Sequence, residues 1–305
     1  MTPFDSFDII VPASTANLGP GFDSVGLALN RHLTLHIEPS ERWEVEILDG
    51  DLDGIPTDES NFIIEIAKWL AAKFDSTLSP VKIGMTSDIP LARGFGSSAS
   101  AIVAGMELTN QLLNLHLTDE EKVQWATLYE GHPDNVAPSI YGGLIIGHHD
   151  EQGTSVVQAG IPTIDLIALI PDYHVSTAKS RDALPESMTY ADAVKASSIS
   201  NVHVAAIMRN DWHLAGQMMK KDRFHRPYRM AGVPEWEQAE EVAKQLPVHG
   251  VTLSGAGPII LFFAPQGMGE QLKPRIERYF PGYNIASLSP DPHGVRVKHR
   301  LSTTP

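Results

Sequence analysis

The stretch 89-IPLARGFGSSASAIVAGMELTNQLL-113 begins like a loop and ends like a helix. Pro90, Gly94 and Gly96 lie just ahead of a run of small residues. Glycines let the backbone approach a ligand closely, and a helix that begins near Ser97 or Ser98 presents free N–H groups and the positive end of its dipole. The stretch therefore predicts a place where an anion meets the first turn of a helix.

Two other kinds of site fit this loop less well. GFGSSA (94–99) matches the dinucleotide-binding fingerprint. That motif, however, follows its strand directly and requires an acidic residue about twenty residues later, at the end of the next strand. Here the acids at that distance, Asp119 and Glu120, open a predicted helix. A nucleophile elbow at Ser98 needs a glycine where Ser100 stands. Two interpretations of the loop therefore remain: a phosphate cradle without the lysine of a Walker loop, and a plain glycine turn ahead of a core helix.

The composition excludes several classes of protein. The 305 residues carry a formal net charge of −14, which disfavours nucleic-acid and anionic-membrane partners because both need a basic surface. There is no cysteine, so disulfides, thiolate nucleophiles and cysteine-ligated metals are excluded. The first residues lack a basic region, and no apolar run is long enough to span a bilayer. We therefore expect a cytoplasmic protein of two domains.

Short strands and turns are predicted for the first half of the chain. FDIIVPA, LTLHIEP and WEVEIL show partial period-two alternation, and PVKIGMTSD is a fourth candidate strand. A helix is predicted at about 61–74 with Asp58 or Ser60 as its cap, and Thr118 with Glu121 forms a capping box for another helix. GGLIIGHHD and GTSVVQAG predict a hairpin.

The second half opens with the nearly continuous apolar strand IDLIALIPD. Helices are predicted near 176–184, 190–210, 234–245 and 267–279. With the strands in GVTLSGAGPIILFFAP, YNIASLS and GVRVKH, the order strand–helix–strand–strand–helix–strand indicates a ferredoxin-like module. We place the boundary between the two domains near Gly160.

Three segments resemble the motifs of the GHMP kinase superfamily, in that superfamily's order. PLARGFGSSAS (90–100) resembles its phosphate-binding signature Pro-x-x-x-Gly-Leu-Gly-Ser-Ser-Ala, with Phe95 for the usual leucine and Ser100 for a frequent alanine. VPASTANLGPGFDSVGLAL (11–29) resembles the first motif and GVTLSGAGPIILFF (250–263) the third. Within the superfamily, GHPDNVAPSIYGG, VSTAKSRDALP and HRPYR are similar to the homoserine kinase family.

The resemblance implies an α+β fold with the active site between two domains. The N-terminal domain (1–160) would be of the ribosomal-protein-S5-domain-2-like type, and the C-terminal domain (161–305) would be ferredoxin-like. The implied reaction is phosphorylation of the L-homoserine hydroxyl by ATP with Mg²⁺, giving O-phospho-L-homoserine for threonine biosynthesis. A different alcohol substrate, or a silent relative that binds a ligand as a regulator, is the alternative. The oligomeric state stays open, with a homodimer among the options.

The resemblance assigns the nucleotide to the glycine loop and to the start of the first long helix. The implied ATP-binding residues are Asn61, Pro90, Leu91, Ala92, Arg93, Gly94, Phe95, Gly96, Ser97, Ser98, Ala99 and Ser100. Asn61 is explained nearly as well as a plain helix cap.

Glu130 and Ser98 are the implied ligands of Mg²⁺. Glu130 lies at the end of a predicted helix, where a carboxylate is unfavourable against the helix dipole. A hard cation held by that carboxylate and by phosphate oxygens gives a reason for its position. A solvated surface glutamate is the alternative.

L-Homoserine carries a carboxylate, an ammonium and a hydroxyl group, and planar guanidinium groups suit the carboxylate. Arg181 and Arg229 match the family's two arginines, while Arg223 and Arg226 offer competing registers. Thr177 lies one helical turn before Arg181. The other implied substrate-binding residues are Asn17, Asp23, His132, Asn135, Gly255 and Gly257. The implied catalytic residues are Asp23, Thr177 and Ser98, with Asp23 either a general base or an acceptor that orients the hydroxyl.

Overall fold

A computed structural model describes residues 5–175 and 177–300 of the chain. Its strands are β1 (Phe7–Ala16), β2 (Val25–Pro39), β3 (Glu44–Asp49), β4 (Val81–Ser87), β5 (Leu144–Asp150), β6 (Gly153–Gln158), β7 (Ile164–Ile170), β8 (Gly250–Leu253), β9 (Ile260–Pro265), β10 (Asn284–Leu288) and β11 (Arg296–His299). Its helices are α1 (Phe62–Lys73), α2 (Ser97–Leu112), α3 (Asp119–Glu130), α4 (Pro133–Tyr141), α5 (Thr177–Asp182), α6 (Tyr190–Met208), α7 (Trp212–Met219), α8 (Arg226–Arg229), α9 (Trp236–Gln245) and α10 (Gly269–Glu277). Within these described ranges, no helix is long and apolar enough to cross a bilayer.

The first sheet is built on the long antiparallel pair of β1 and β2. The strand order is β11-β1-β2-β4-β3, and β2 also pairs with β5, which forms the predicted hairpin with β6. Only β3 and β4 run parallel in this sheet, as far as the described residues show. Helices α2 and α4 pack against β1, and α1 packs against α2. Helix α4 approaches β2 so closely that a Cβ on Gly26 would lie 1.7 Å from the carbonyl oxygen of Asp134.

The second sheet has the antiparallel order β10-β7-β9-β8. Alternate residues of its central strand β7 contribute to two different hydrophobic cores. Leu166 and Ala168 belong to a core with Ile207 of α6, whereas Ile167 and Leu169 belong to a core with Trp236 of α9. Because both faces of this strand are covered, its sequence is nearly continuously apolar instead of alternating, with Asp165 as the exception. The predicted order of strands and helices is confirmed from β7 to β10.

After β10 the chain leaves the second sheet, and its last strand, β11, belongs to the first sheet. β11 pairs antiparallel with β1, with Ile9 opposite Val297. The segment between β10 and β11 crosses β2, where His32 Nε2 lies 2.7 Å from an oxygen of Asp291. A boundary drawn at Gly160 therefore places in the second domain a strand whose hydrogen bonds belong to the first sheet. The two-domain division itself stays a prediction.

Most of the predicted local elements are confirmed; the exceptions are the cap of α1 and the helices α4, α7 and α8, which were not predicted. The cap of α1 is neither Asp58 nor Ser60 but Asn61, whose side chain accepts a hydrogen bond from the N–H of Ile63 at 3.0 Å. The capping box of α3 is present as predicted. Helix α4 was not predicted from the sequence, because a proline also stands inside it at position 138 and interrupts its pattern.

Candidate active site

One cavity of about 440 Å³ lies between the first sheet and loops of the second unit, by which we mean the part of the chain from β7 to β10 that carries the second sheet. Its wall includes the first turn of α2, the loop after β1, the ends of α3 and α8, part of α5, and the loop between β8 and β9. Of the residues predicted from sequence, it brings together Asn17, Asp23, Asn61, Leu91, Ala92, Gly94, Gly96, Ser97, Ser98, Ala99, Glu130, His132, Asn135, Arg181, Arg229, Gly255 and Gly257.

Two predicted ATP-binding residues lie behind this wall. Phe95 is buried in the hydrophobic core. Ser100 is fully buried, and its hydroxyl lies 3.1 Å from the carbonyl oxygens of Pro12 and Gly96. Both side chains therefore support the glycine loop from the core side.

Three further predicted residues are not part of the described wall. The guanidinium of Arg93 points to the carbonyl oxygen of Asp172 at 3.5 Å, and Pro90 begins the loop. Thr177 is the first residue of α5, but its side chain lies outside the described part of the chain. Its predicted role stays a prediction.

The first turn of α2 presents backbone N–H groups to the cavity. Gly96 precedes the helix in the left-handed conformation, with φ of +65°, and no side chain caps the helix. Ser97 and Ser98 form the first turn and line the cavity. The N–H groups of this turn have no intrahelical partner, and the helix dipole places partial positive charge there. The turn can therefore bind the phosphates of a nucleotide, as the glycine pattern predicts.

Gly94 sits where the loop passes under the second unit. Its carbonyl oxygen accepts a hydrogen bond from the hydroxyl of Ser254 at 2.6 Å. Its φ is +108°, and a Cβ at this position would lie 2.4 Å from the backbone oxygen of Ser254. Only glycine fits both the conformation and the space, so this contact fixes the loop beside the β8–β9 turn.

The cavity wall next to this loop is apolar. It is formed by Leu33, Leu52, Ile55, Phe62, Met85 and Leu91. Such a wall suits the flat face of a nucleotide base. Asn61 lies in it as well, but its side chain is already used: it caps α1 and donates to the carbonyl oxygen of Pro56 at 2.8 Å. Asn61 is therefore a buried helix cap at the cavity edge, a position that is compatible with both a capping role and a nucleotide-binding role.

The opposite end of the cavity is charged. Asp23 and Arg181 form a bidentate ion pair, with two N···O distances of 2.9 Å. The hydrogen bond with Asp23 raises the pKa of Arg181. Asp23 has a φ of +54°, and its backbone N–H donates to the side chain of Asn17 at 2.9 Å. Asn17 in turn donates to the carbonyl oxygen of Gly255 at 3.3 Å, which joins this loop to the second unit.

Arg229 lies deeper than Arg181 and has no carboxylate partner among the residues that the structure describes. Only 7% of it is exposed, and it donates to the carbonyl oxygens of Ser180 at 3.3 Å and Gly255 at 3.2 Å. Burial lowers the pKa of Arg229; the charge of Asp23 acts against this effect, and that of Arg181 adds to it. A buried guanidinium bonded only to carbonyl oxygens is ready to accept an anionic ligand.

The two competing arginines are engaged elsewhere. Arg223 pairs with Asp192 at 2.9 Å on the surface. Arg226 pairs with Glu240 and lies 5.5 Å from the ring centre of Trp236. Neither lines the cavity.

His132 and Asp134 form a second polar pair at the charged end. Nδ1 of His132 lies 2.5 Å from a carboxylate oxygen of Asp134, which is almost fully buried. Burial acts to lower the pKa of His132, but the hydrogen bond and charge of Asp134 outweigh it, so the pKa is raised. Asn135 accepts a hydrogen bond from the hydroxyl of Ser14 at 3.1 Å. Sequence analysis missed Asp134, although its neighbours in the motif were singled out.

Glu130 and Ser98 both line the cavity, and their oxygen atoms suit Mg²⁺. Burial raises the pKa of Glu130, and no described residue donates a hydrogen bond to its carboxylate. A half-buried carboxylate without a donor fits a cation ligand. Asp23, His132 and Asp134 also lie within 4.8 Å of one another. Asp23 is, however, paired with Arg181, and His132 with Asp134, so this group is better described as a hydrogen-bonded cluster.

Comparison with known proteins agrees with this arrangement. Residues 61–143 match the family "GHMP kinases N terminal domain" and residues 204–282 match "GHMP kinases C terminal". The chain is 47% identical over 297 residues to the homoserine kinase of Halalkalibacterium halodurans, covering 97% of this chain and 96% of that one. A solved structure from Listeria monocytogenes is 41% identical with a TM-score of 0.84, covering 96% of this chain and 100% of that one.

The fold is shared with a more distant solved protein as well. The crystal structure of homoserine kinase from Cytophaga hutchinsonii is 25% identical, has a TM-score of 0.83, and covers 98% of this chain and 99% of that one. The predicted fold class is therefore confirmed. The chain belongs to the homoserine kinase family of the GHMP kinases.

Proposed function

We propose that this chain transfers the γ-phosphoryl group of ATP to the hydroxyl of L-homoserine, which gives O-phospho-L-homoserine for threonine biosynthesis. The observation that carries the proposal is the division of one cavity into an end lined by an apolar wall and free backbone N–H groups, and an end where buried Arg229 lies close to the Asp23–Arg181 pair. The first end suits a nucleoside triphosphate, and the second suits the zwitterion of an amino acid.

The proposed roles follow from the charge of each group and from the contacts that it already makes. The carboxylate of L-homoserine binds Arg229 and Arg181, and its ammonium binds Asp23. Both oxygens of Asp23 already accept hydrogen bonds from Arg181, so we assign Asp23 to substrate binding rather than to proton removal. His132 uses Nδ1 for Asp134, which leaves Nε2 as the nitrogen available to the substrate.

The glycine loop and α2 bind the phosphates, and Glu130 with Ser98 would hold Mg²⁺. When bound, the cation neutralises charge on the phosphate oxygens. Catalysis then depends on the position of the hydroxyl relative to the γ-phosphorus and on charge stabilisation, without a dedicated base. Because ATP and L-homoserine are metabolites of the cytoplasm, we propose that location.

A coupled assay of ADP release tests the function. Purified protein is given Mg²⁺, ATP and one of a panel of alcohols: L-homoserine, D-homoserine, L-serine, L-threonine and mevalonate. We expect turnover with L-homoserine and at most a few per cent of that rate with the others. A preference for mevalonate would favour another substrate within the superfamily, and no turnover with any of them would favour a silent ligand-binding relative.

A further inference from the structure

Both arginines of the charged end share one aromatic ring. The Cζ atom of Arg229 lies 5.1 Å from the ring centre of Phe22, and that of Arg181 lies 5.7 Å from the same centre. A guanidinium over an aromatic face is attracted by the negative charge density of the ring. Phe22 stands directly before Asp23 in the loop after β1, so the ring and the ion-paired carboxylate come from the same short segment.

The ring of Phe22 offsets the electrostatic repulsion between the two arginines. Two guanidinium groups that are to hold one carboxylate must lie close together, and their charges repel. Arg181 forms an ion pair with Asp23, whereas Arg229 has no carboxylate partner among the described residues and donates to two carbonyl oxygens. The face of Phe22 adds attraction for both cations without placing a second carboxylate where the substrate carboxylate must bind.

The ring is itself held in place from the second unit. Phe22 stacks on His225, with ring centres 5.4 Å apart and an angle of 27° between planes, and on Phe224 at 6.5 Å and 22°. His225 Nε2 lies 2.8 Å from the carbonyl oxygen of Gly19 in the loop that carries Phe22. The backbone N–H of Arg229 donates to the carbonyl oxygen of His225 at 3.0 Å. The ring therefore lies between the loop that carries Asp23 and the helix that carries Arg229.

We propose that Phe22 is a positioning residue that holds Arg181 and Arg229 together, and that it thereby contributes to the preference for a substrate with a free carboxylate. The inference rests on the proposed function. It differs from a packing role in one respect: loss of the ring reduces recognition of the carboxylate selectively and leaves the rest of the site intact.

The test compares Phe22→Leu with two other variants. Phe22→Tyr keeps the aromatic face and is the conservative variant. Phe224→Leu is the matched control, because Phe224 stacks on the same ring but has no guanidinium over its own face among the described residues. Phe22→Met, which keeps the volume without a ring, replaces Phe22→Leu if that protein does not fold.

Each protein is assayed with L-homoserine and with L-homoserine amide, in which the carboxylate is replaced by a neutral group. For Phe22→Leu we expect the KM for L-homoserine to rise roughly 5- to 30-fold, as the loss of two cation–π contacts implies. The KM for ATP and the kcat/KM for the amide should change less than about 2-fold, so the preference for the carboxylate falls by the same factor as the affinity. Phe22→Tyr and Phe224→Leu should keep the wild-type preference.

Three results would overturn the inference. If Phe22→Leu loses L-homoserine and the amide equally, the ring acts only by packing. If neither substrate is affected in Phe22→Leu, or if Phe224→Leu lowers the preference as much, the contact with the guanidinium groups has no special role. A wild-type protein that phosphorylates neither compound would instead overturn the proposed function, and this inference with it.

Discussion

The two ends of the cavity, the proposed nucleotide end beside the apolar wall and the proposed amino-acid end, which is the charged end described above, are built from different chemical groups. The nucleotide end consists of backbone N–H groups at the start of α2, glycines and an apolar wall. At the amino-acid end, charged side chains meet from the loop after β1, from α5 and from α8. Backbone recognition tolerates no added atoms, whereas recognition by side chains can lose one member and keep part of its affinity. Substitutions at the two ends should therefore differ in how completely they act.

The largest effect is expected for Gly94→Ala at the nucleotide end. The new Cβ would meet the backbone oxygen of Ser254 at 2.4 Å, and the residue would have to keep a φ of +108°. We expect the loop to move and nucleotide binding to be lost. In a thermal unfolding assay, ligand at a hundred times its Kd stabilises the wild type by about 2.7 kcal/mol, and the variant should show little of this.

Gly160→Ala is the control for backbone strain alone. Gly160 has a φ of +81°, but a Cβ there would have no atom within 4 Å. This variant should unfold at a somewhat lower temperature and keep full protection by ATP with Mg²⁺. Equal protection of both variants would show that the close contact at Gly94 does not control the phosphate site.

A large but incomplete effect is expected for Arg229→Ala at the amino-acid end. The variant loses hydrogen bonds to a charged group, worth about 1.5–3 kcal/mol, which corresponds to a loss of roughly 10- to 150-fold in apparent affinity for L-homoserine. The KM for ATP should hardly change, because the arginine lies at the other end. Arg229→Lys should restore only part of the loss, since an ammonium group lacks the planar fork.

Arg223→Ala is the matched control, because Arg223 is paired on the surface with Asp192. Steady-state kinetics on the variants should leave this protein near wild type for both substrates. If Arg223→Ala loses L-homoserine while Arg229→Ala does not, the register assigned from the sequence is wrong. If neither matters, an amino-acid substrate is in doubt.

An intermediate effect is expected for Glu130→Gln, at the junction of the two ends. The amide is a weaker ligand for Mg²⁺ than the carboxylate, so the half-saturating Mg²⁺ concentration should rise about 10-fold, and kcat should fall. Binding of L-homoserine, measured without nucleotide, should stay nearly unchanged. Glu120→Gln, an exposed change on the same helix, should leave the Mg²⁺ titration as in wild type. If the Mg²⁺ titration of Glu130→Gln matches that of the wild type, the residue that binds Mg²⁺ lies elsewhere.

The two ends also differ in how far sequence reasoning could describe them. The glycine loop and α2 form one continuous segment, so spacing and residue type predicted its conformation, while its use as a phosphate cradle was favoured over a plain glycine turn only by the resemblance to a family. The charged end depends on contacts between distant parts of the chain. Asp23 and Arg181 are separated by 158 positions, and nothing in either local pattern indicates their pairing. Only the resemblance to a family suggested that both belong to one site.

Residues that act through others were the hardest to predict. Asp134 bonds His132, and Phe22 lies beneath two arginines, yet their sequence neighbours drew attention instead. An aspartate and a phenylalanine in a motif do not show what they contact. The same holds for β11, whose short polar sequence contains no sign that it pairs with β1. Such features are set by packing and could not be derived from local periodicity.

The smallest expected effect is for Asp291, which lies away from both ends of the cavity. It measures how much one buried carboxylate contributes to the free energy of unfolding. Asp291 lies in the segment that leads from β10 to β11. Burial alone would raise the pKa of Asp291, but hydrogen bonds from His32 and from the backbone N–H of His293 outweigh it, so the pKa is lowered. A carboxyl group whose pKa is lower in the folded than in the unfolded state stabilises the fold above the unfolded value of about 3.9.

Asp291→Asn should therefore lower the free energy of unfolding by about 1 kcal/mol at pH 7. The difference should shrink as the pH falls below about 3.9, where the carboxyl of the unfolded chain begins to take up a proton, and should be lost as the pH falls through the lowered pKa of the folded state. Urea unfolding at pH 7 and pH 3 measures both values, and catalytic constants at pH 7 should not change. A difference that stays constant with pH would show that the Asp291→Asn substitution disturbs packing rather than removing a charge, and a loss of turnover would mean that the last strand influences the cavity after all.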